Sequence, residues 1–269
     1  MDFLSLETGI NDVIGFNLYR ARVRNRLKQR EAADRLAISV AQLKKYEQGK
    51  ETLRLDTASH ACIRYGMSMD RLFANTIYAR NQAEDEVRSS YVDRLGYLFA
   101  ALEGPIFDHI IGVIAHTFHV SIALAPSQAN PTDGSNLNCN DPATIQEYFK
   151  AISQGVKKLR EANNWSQAAV ADNVNISLSA YRGYEDESKV VRFNLLLAGR
   201  YAAVSKINPL VLVKDTQIGL ARSQQDLRLG LIEDIVKAVD HEDLEFLETL
   251  SRSLIDHLYI KKKLQRNIH

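Results

Sequence analysis

The side chains best placed to do chemistry are histidines. His116 and His119 stand three apart on a predicted helix, a permissible spacing for two ligands to one metal ion, and Asp108 and His109 lie about two turns earlier. A zinc hydrolase would add an acid in an H-E-x-x-H frame, and none occurs. These residues therefore read as polar side chains on a packed helix, and no metal is expected. Cys62 and Cys139 are the only cysteines and form no C-x-x-C pair, which argues against a thiolate zinc site or a disulfide framework and points to a reducing cytoplasm. Neither a glycine-rich phosphate loop nor a Ser/His/Asp or paired-carboxylate arrangement stands out. The sequence makes no case for an enzyme or for a bound cofactor.

Charge is the next property that could recognise a partner. A net charge of +1 over 269 residues gives no nucleic-acid footprint by itself. The average hides segregation: Lys/Arg outnumber Asp/Glu by fourteen to nine over residues 1–80 and by ten to seven over 146–216. The balance reverses to two against eight over 81–145 and eight against nine over 217–269. A basic-then-acidic unit thus runs twice along the chain. The 45% hydrophobic and 25% charged composition is that of a globular protein, and only five prolines interrupt it. The most apolar stretch, residues 109–125, is broken by His116 and His119 and too short to span a membrane. The N-terminal residues lack the basic-then-apolar pattern of a signal peptide, so a cytoplasmic location without membrane contact is expected. Residues 126–136, rich in Pro, Asn, Ser and Gly with no apolar period, read as a linker.

Sliding the chain on itself by 138 residues turns the charge pattern into a repeat. Gln29 then meets Gln167, Ala33 meets Ala171, Ile38-Ser39 meets Ile176-Ser177, Tyr46-Glu47 meets Tyr184-Glu185 and Leu72 meets Leu210. A register kept over more than forty positions is hard to obtain from composition alone.

The elements that must position these residues follow from local patterns. Ile14, Leu18 and Ala21 recur at helical spacing through residues 12–26, and Ala32, Ala33 and Leu36 mark the inner face of a short second helix. Ala37-Ile38 makes a turn, Ser39 caps a third helix reaching about Gln48, and Gly49 ends it. Asp56 is expected to cap a fourth helix, and Ser68-Met69-Asp70 to open a fifth. Two short helices across a tight turn, enclosed by others, make a helix-turn-helix. The expected fold is all-α: a first unit over 1–80, a helical hairpin over 81–125, a linker over 126–142, a second unit over 143–216 and a second hairpin over 217–269.

This pattern resembles the lambda-repressor/Cro-like, or XRE-type, helix-turn-helix family. The likeness covers about residues 12–73 and is carried by Ile14-Gly15, Arg22, Leu27-Lys28-Gln29, Ala33, Leu36, Ile38-Ser39, Lys45-Tyr46-Glu47-Gln48-Gly49 and residues 66–72. Ala37 and Leu53 depart from it, where the family often has Gly and Pro. The second copy, about 150–211, departs further: Gly183 lies within the would-be recognition helix, and Asp186-Glu187 replaces the Gln-Gly end.

The resemblance implies a sequence-specific, double-stranded DNA-binding transcriptional regulator whose third helix enters the major groove. It assigns Val40, Ala41, Gln42, Lys44 and Lys45 to base edges in the first copy, with Gln42 suited to adenine and Lys45 to guanine. Leu178, Ser179, Ala180 and Arg182 are their counterparts in the second copy. Phosphate contacts fall to Gln29, Lys50 and Arg54, and to Gln167, Lys189 and Arg192. The arginine run Arg20, Arg22, Arg24 and Arg26 spreads around its helix, so phosphate contact and a solvated face are even alternatives for it. Tyr46 and Tyr184 read as core, and Glu47 and Glu185 as hydrogen-bonding struts. RNA polymerase is a further partner that such a regulator would meet.

Leu95, Leu98, Leu102, Ile106, Ile110, Val113 and Ile114 mark an apolar hairpin face, echoed by Ile232, Ile235, Val239 and residues 244–255, with bends at Gly104-Pro105 and at residues 240–243. Each hairpin could complete its own module, or the two could pack on each other or on a second chain, giving a pseudo-dimer or a homodimer. Assembly is the favoured reading, because a lone helix-turn-helix rarely binds tightly. The alternative function is a protein-interaction module, antitoxin-like or anti-repressor, suggested by Gly183, Asp186, Glu187 and the modest charge.

Overall fold

The computed structural model describes residues 3–79, 85–122, 137, 141–189 and 193–266, and every regular element among them is helical. The first unit comprises α1 (Phe3–Leu6), α2 (Ile10–Arg24), α3 (Gln29–Leu36), α4 (Val40–Glu47), α5 (Leu55–Tyr65) and α6 (Met69–Leu72). A hairpin of α7 (Glu86–Ala100) and α8 (Gly104–Thr117) follows. The second unit comprises α9 (Pro142–Ala162), α10 (Gln167–Asn173), α11 (Leu178–Glu185), α12 (Leu195–Ser205) and a 3-10 turn, Pro209–Val213. The second hairpin is α13 (Gln217–Ala238) and α14 (Leu244–Arg266), joined through a 3-10 turn at His241–Asp243. Nearly all of the expected linker lies outside the described residues.

Caps and left-handed residues recur at matching positions and fix the turns. Ser39 Oγ accepts from Gln42 N at 3.0 Å, and Ser177 Oγ from Ala180 N at 3.1 Å, so each satisfies an orphan donor of the following helix. Ala37 takes φ +57° and its counterpart Asn175 +55°. Asn tolerates that conformation, whereas Ala meets a steric cost of about 1–2 kcal/mol. Arg26 and Asn164 likewise share a positive φ. The offset is 138 through α11 and becomes 140 from α5 and α12 onward, where Gly66 (φ +59°) matches Lys206 (φ +59°), so Leu72 corresponds to Leu212 and the expected match with Leu210 is corrected.

Two expected boundaries are corrected. Asp56 is not a cap: Arg54 holds the N-cap position of α5, and the Asp56 carboxylate, buried in the first turn, is paired with the Arg54 guanidinium. Gly104 and Pro105 are not a bend but the first residues of α8, where a missing proline N–H costs no intrahelical bond.

The cores divide the chain by element type and not by order along the sequence. One core draws Leu18, Leu36, Leu43, Leu55 and Tyr65 from the first unit and Tyr148, Val156, Tyr181 and Leu195 from the second. The other is a four-helix cluster in which Leu95, Phe99, Phe107 and Ile110 of the first hairpin pack on Leu229, Ile232, Val236, Leu244 and Leu247 of the second. The hairpins therefore pack on each other within one chain. Polar ties reinforce that packing: Arg94 Nε donates to Glu248 Oε2 at 2.7 Å, and Arg88 donates to the Val236 and Val239 carbonyls at the end of α13.

The two units meet through a short reciprocal bridge. Leu55 N donates to Phe193 O at 3.0 Å, and Leu195 N donates to Leu53 O at 2.8 Å, around the antiparallel pair Arg54 and Asn194. Each of these residues lies 140 positions from its counterpart, so exchanging the two units maps the bridge onto itself. That is the signature of a local two-fold axis. Ser59 and Tyr148 add a buried hydroxyl pair at 3.0 Å across the same seam.

Candidate nucleic-acid interface

The second helix of each helix-turn-helix segment is held by the same three side chains. In the first unit, Arg22 Nε donates to Glu47 Oε1 at 2.6 Å and its NH2 group to Oε2 at 3.0 Å, while Gln29 Nε2 reaches Oε2 at 3.4 Å. In the second, Arg160 makes the same fork to Glu185 at 2.6 and 3.0 Å, and Gln167 Nε2 donates to Oε2 at 2.8 Å. Tyr181 adds its hydroxyl at 2.6 Å. Burial pushes the Glu185 carboxyl up, but the bonds from Arg160, Tyr181 and Gln167 outweigh it and hold the group below the ordinary carboxylate range. The bond to Glu47 likewise raises the Arg22 guanidinium. These charges lock α4 and α11 against α2 and α9 and are consumed by the scaffold.

With the inner faces so fixed, the outer faces of α4 and α11 are open. Val40, Ala41, Lys44 and Lys45 are exposed along α4, and Ser179, Ala180 and Arg182 along α11 with Leu178 half-buried. Lys45 pairs loosely with Glu51 at 3.5 Å. Gln42 is half-buried, its amide shielded from solvent beside the Tyr46 hydroxyl.

The residues assigned to phosphate divide. Lys50 is exposed just past α4. Arg54 stands at the seam between the units with its guanidinium paired to Asp56. Gln29 and Gln167 are half-buried, their amide nitrogens turned to Glu47 and Glu185. Gln167 Oε1 also accepts from Arg182 Nε at 3.4 Å, which ties the exposed Arg182 to its own unit. Lys189 is exposed but bound to Asp186 at 2.9 Å. Arg192 lies outside the described residues. In the arginine run, Arg22 is paired with Glu47 and Arg24 with Asp93 on α7.

Lys28 and Arg30 were not among the residues assigned to phosphate from the sequence, yet both are exposed at the N-terminus of α3, beside Gln29 and the partial positive charge of the helix end. Their position flanking Gln29 was the available signal. His109, His116 and His119 are all exposed, and no group of metal-ligating side chains occurs among the described residues. Within the same residues no helix is long and apolar enough to cross a membrane. No family model, curated protein or solved structure matches the chain.

Proposed function

We propose that the chain is a sequence-specific DNA-binding transcriptional regulator in which two XRE-type units act as one internal pseudo-dimer. The observation that carries this reading is the reciprocal bridge between Leu53–Leu55 and Phe193–Leu195. A two-fold through that bridge, carried to the whole units, would relate α4 and α11 as the two strands of a duplex are related about a base pair. Such a reader takes an inverted repeat with half-sites about one helical turn apart, about 34–36 Å. The half-sites are unlike. α4 offers two exposed lysines and Gln42, whereas α11 offers Ser179 and one arginine already engaged by Gln167. The first half-site therefore supplies most of the affinity.

Selection of duplexes from a random library near physiological salt tests the reading, and two inverted, non-identical motifs are the expected product. Gln42→Ala with Lys45→Ala is expected to weaken specific binding about 10- to 100-fold, since a good base contact discriminates by about 1–3 kcal/mol. Unchanged affinity in that variant would remove α4 from the interface.

A second reading has its own observation. Phe16, Tyr19 and Val23 stand exposed along α2, with Arg20 over the Phe16 ring. An apolar stripe of this kind suits a protein partner, and the absence of any selected motif would favour it.

A further inference from the structure

Between the two units lies a cavity of about 630 Å³. Its floor contains Leu55 and Leu195, the residues whose N–H groups make the bridge, together with the buried ring of Phe73. The α12 wall is cut back at Ala202 and Ala203, while at Gly199 the Tyr78 ring packs where a Cβ would stand. Asp70 and Lys206, both exposed, stand at its rim with Asn208. This space is not a by-product of the repeat. The 140-residue offset generates a second crevice between α5 and the 3-10 turn, with Ser59 in place of Gly199 and Val213 in place of Phe73. That crevice is also lined by Tyr148, Ile218 and Arg222 and measures only about 190 Å³.

We propose that the larger cavity binds a small zwitterion with an apolar body, an α-amino acid with a side chain like that of leucine, phenylalanine or tryptophan. The volume falls within the usual range for small-molecule sites, about 300–1,000 Å³. An apolar side chain replaces water over Leu55, Leu195 and Phe73. The ammonium group then meets the Asp70 carboxylate, and the carboxylate meets the Lys206 ammonium and the Asn208 amide. A molecule with only one of these charges leaves the other rim group unanswered. Because the walls come from both units, the occupant fixes how the units are held against each other, and so alters the setting of α4 relative to α11. That last clause rests on the DNA-binding reading; the binding itself does not.

The test is thermal melting of the full chain without DNA, in about 10 mM L-leucine, L-phenylalanine or L-tryptophan, a large excess over protein. At least one is expected to raise Tm by about 2 °C or more. Phenethylamine and 3-phenylpropionate, each lacking one charge, are expected to raise it less. Asp70→Asn and Lys206→Gln change exposed residues and leave the fold intact, and both are expected to abolish the rise. Ala203→Phe fills the cavity and should abolish it as well. No rise with any of the three amino acids overturns the proposal, as does an undiminished rise in Ala203→Phe or an equal rise with the singly charged analogues. Duplex binding is then measured with and without the stabilising amino acid, and a change of about 5- to 150-fold is the expected coupling. A Tm rise in a protein that binds no duplex keeps the cavity assignment and overturns the DNA-binding reading.

Discussion

His60 makes the stability of the chain depend on pH in a way that can be worked out from the structure. The imidazole lies on α5, 3% exposed, and its Nε2 finds no hydrogen-bond partner among the described residues. Burial, helped by the nearby Arg64 and Arg54 and opposed by Asp56, lowers its pKa from 6.5 to about 4. The folded protein therefore refuses a proton that the unfolded chain accepts. The stability is fully present above the unfolded value of 6.5 and is lost as pH falls from there towards 4. Each pH unit inside that window costs about 1.4 kcal/mol. Between about pH 7.5 and pH 5 the loss comes to about 2 kcal/mol, and by pH 4 it approaches 3 kcal/mol. Urea unfolding at half-unit pH steps measures it, with His60→Gln as the reference that keeps every other titrating group. The variant is expected to be flatter by about 2 kcal/mol across the same interval. Parallel curves for the two proteins would refute the assignment of a buried, neutral His60.

Gly15→Ala would place a Cβ 2.3 Å from the Tyr46 carbonyl oxygen, forcing α2 away from α4, so a loss of about 1–3 kcal/mol and a lower Tm by calorimetry are expected. Ala37→Gly relieves the left-handed strain at φ +57° and is expected to stabilise by about 0.5–1 kcal/mol, read as a higher urea midpoint. Salt titration of duplex binding separates two cations that look alike in sequence. Lys50→Gln should lower the slope of log affinity against log salt by about 0.9, the share of one phosphate contact. Arg54→Gln should leave that slope unchanged while destabilising the fold by about 3 kcal/mol, because it strands the buried Asp56 carboxylate.

The parts legible in the sequence were those with a local cause. Ser39 and Ser177 announce helix starts because their hydroxyls act within three residues, and the apolar spacing of Ile14, Leu18 and Ala21 announces the inner face of α2. The repeat was legible because register survives from α3 through α4 and from α10 through α11, and the Leu72–Leu210 match beyond them was fortuitous. Contacts over long separations were not legible. Asp56 has the right type and place for a cap, but Arg54 competes for its carboxylate. Arg22 and Arg24 read as surface charge until Glu47 and Asp93 are brought beside them by folding. The change of offset from 138 to 140 falls between α11 and α12, and the bridge pairs residues at the 140 offset.

That bridge has a consequence for dose. A pair of readers assembled from separate chains comes apart on dilution, and its occupancy of a site climbs steeply with the amount made. Here the Leu55–Phe193 and Leu195–Leu53 bonds join halves of a single polypeptide, so each half sees the other at a concentration set by the chain itself. On the DNA-binding reading, occupancy would follow the first power of protein concentration, with no assembly threshold to cross. Fusion also frees the halves from being identical. A change in α11 is not copied into α4, so the molecule has a front and a back, and on the DNA-binding reading a site bound by it would acquire a direction.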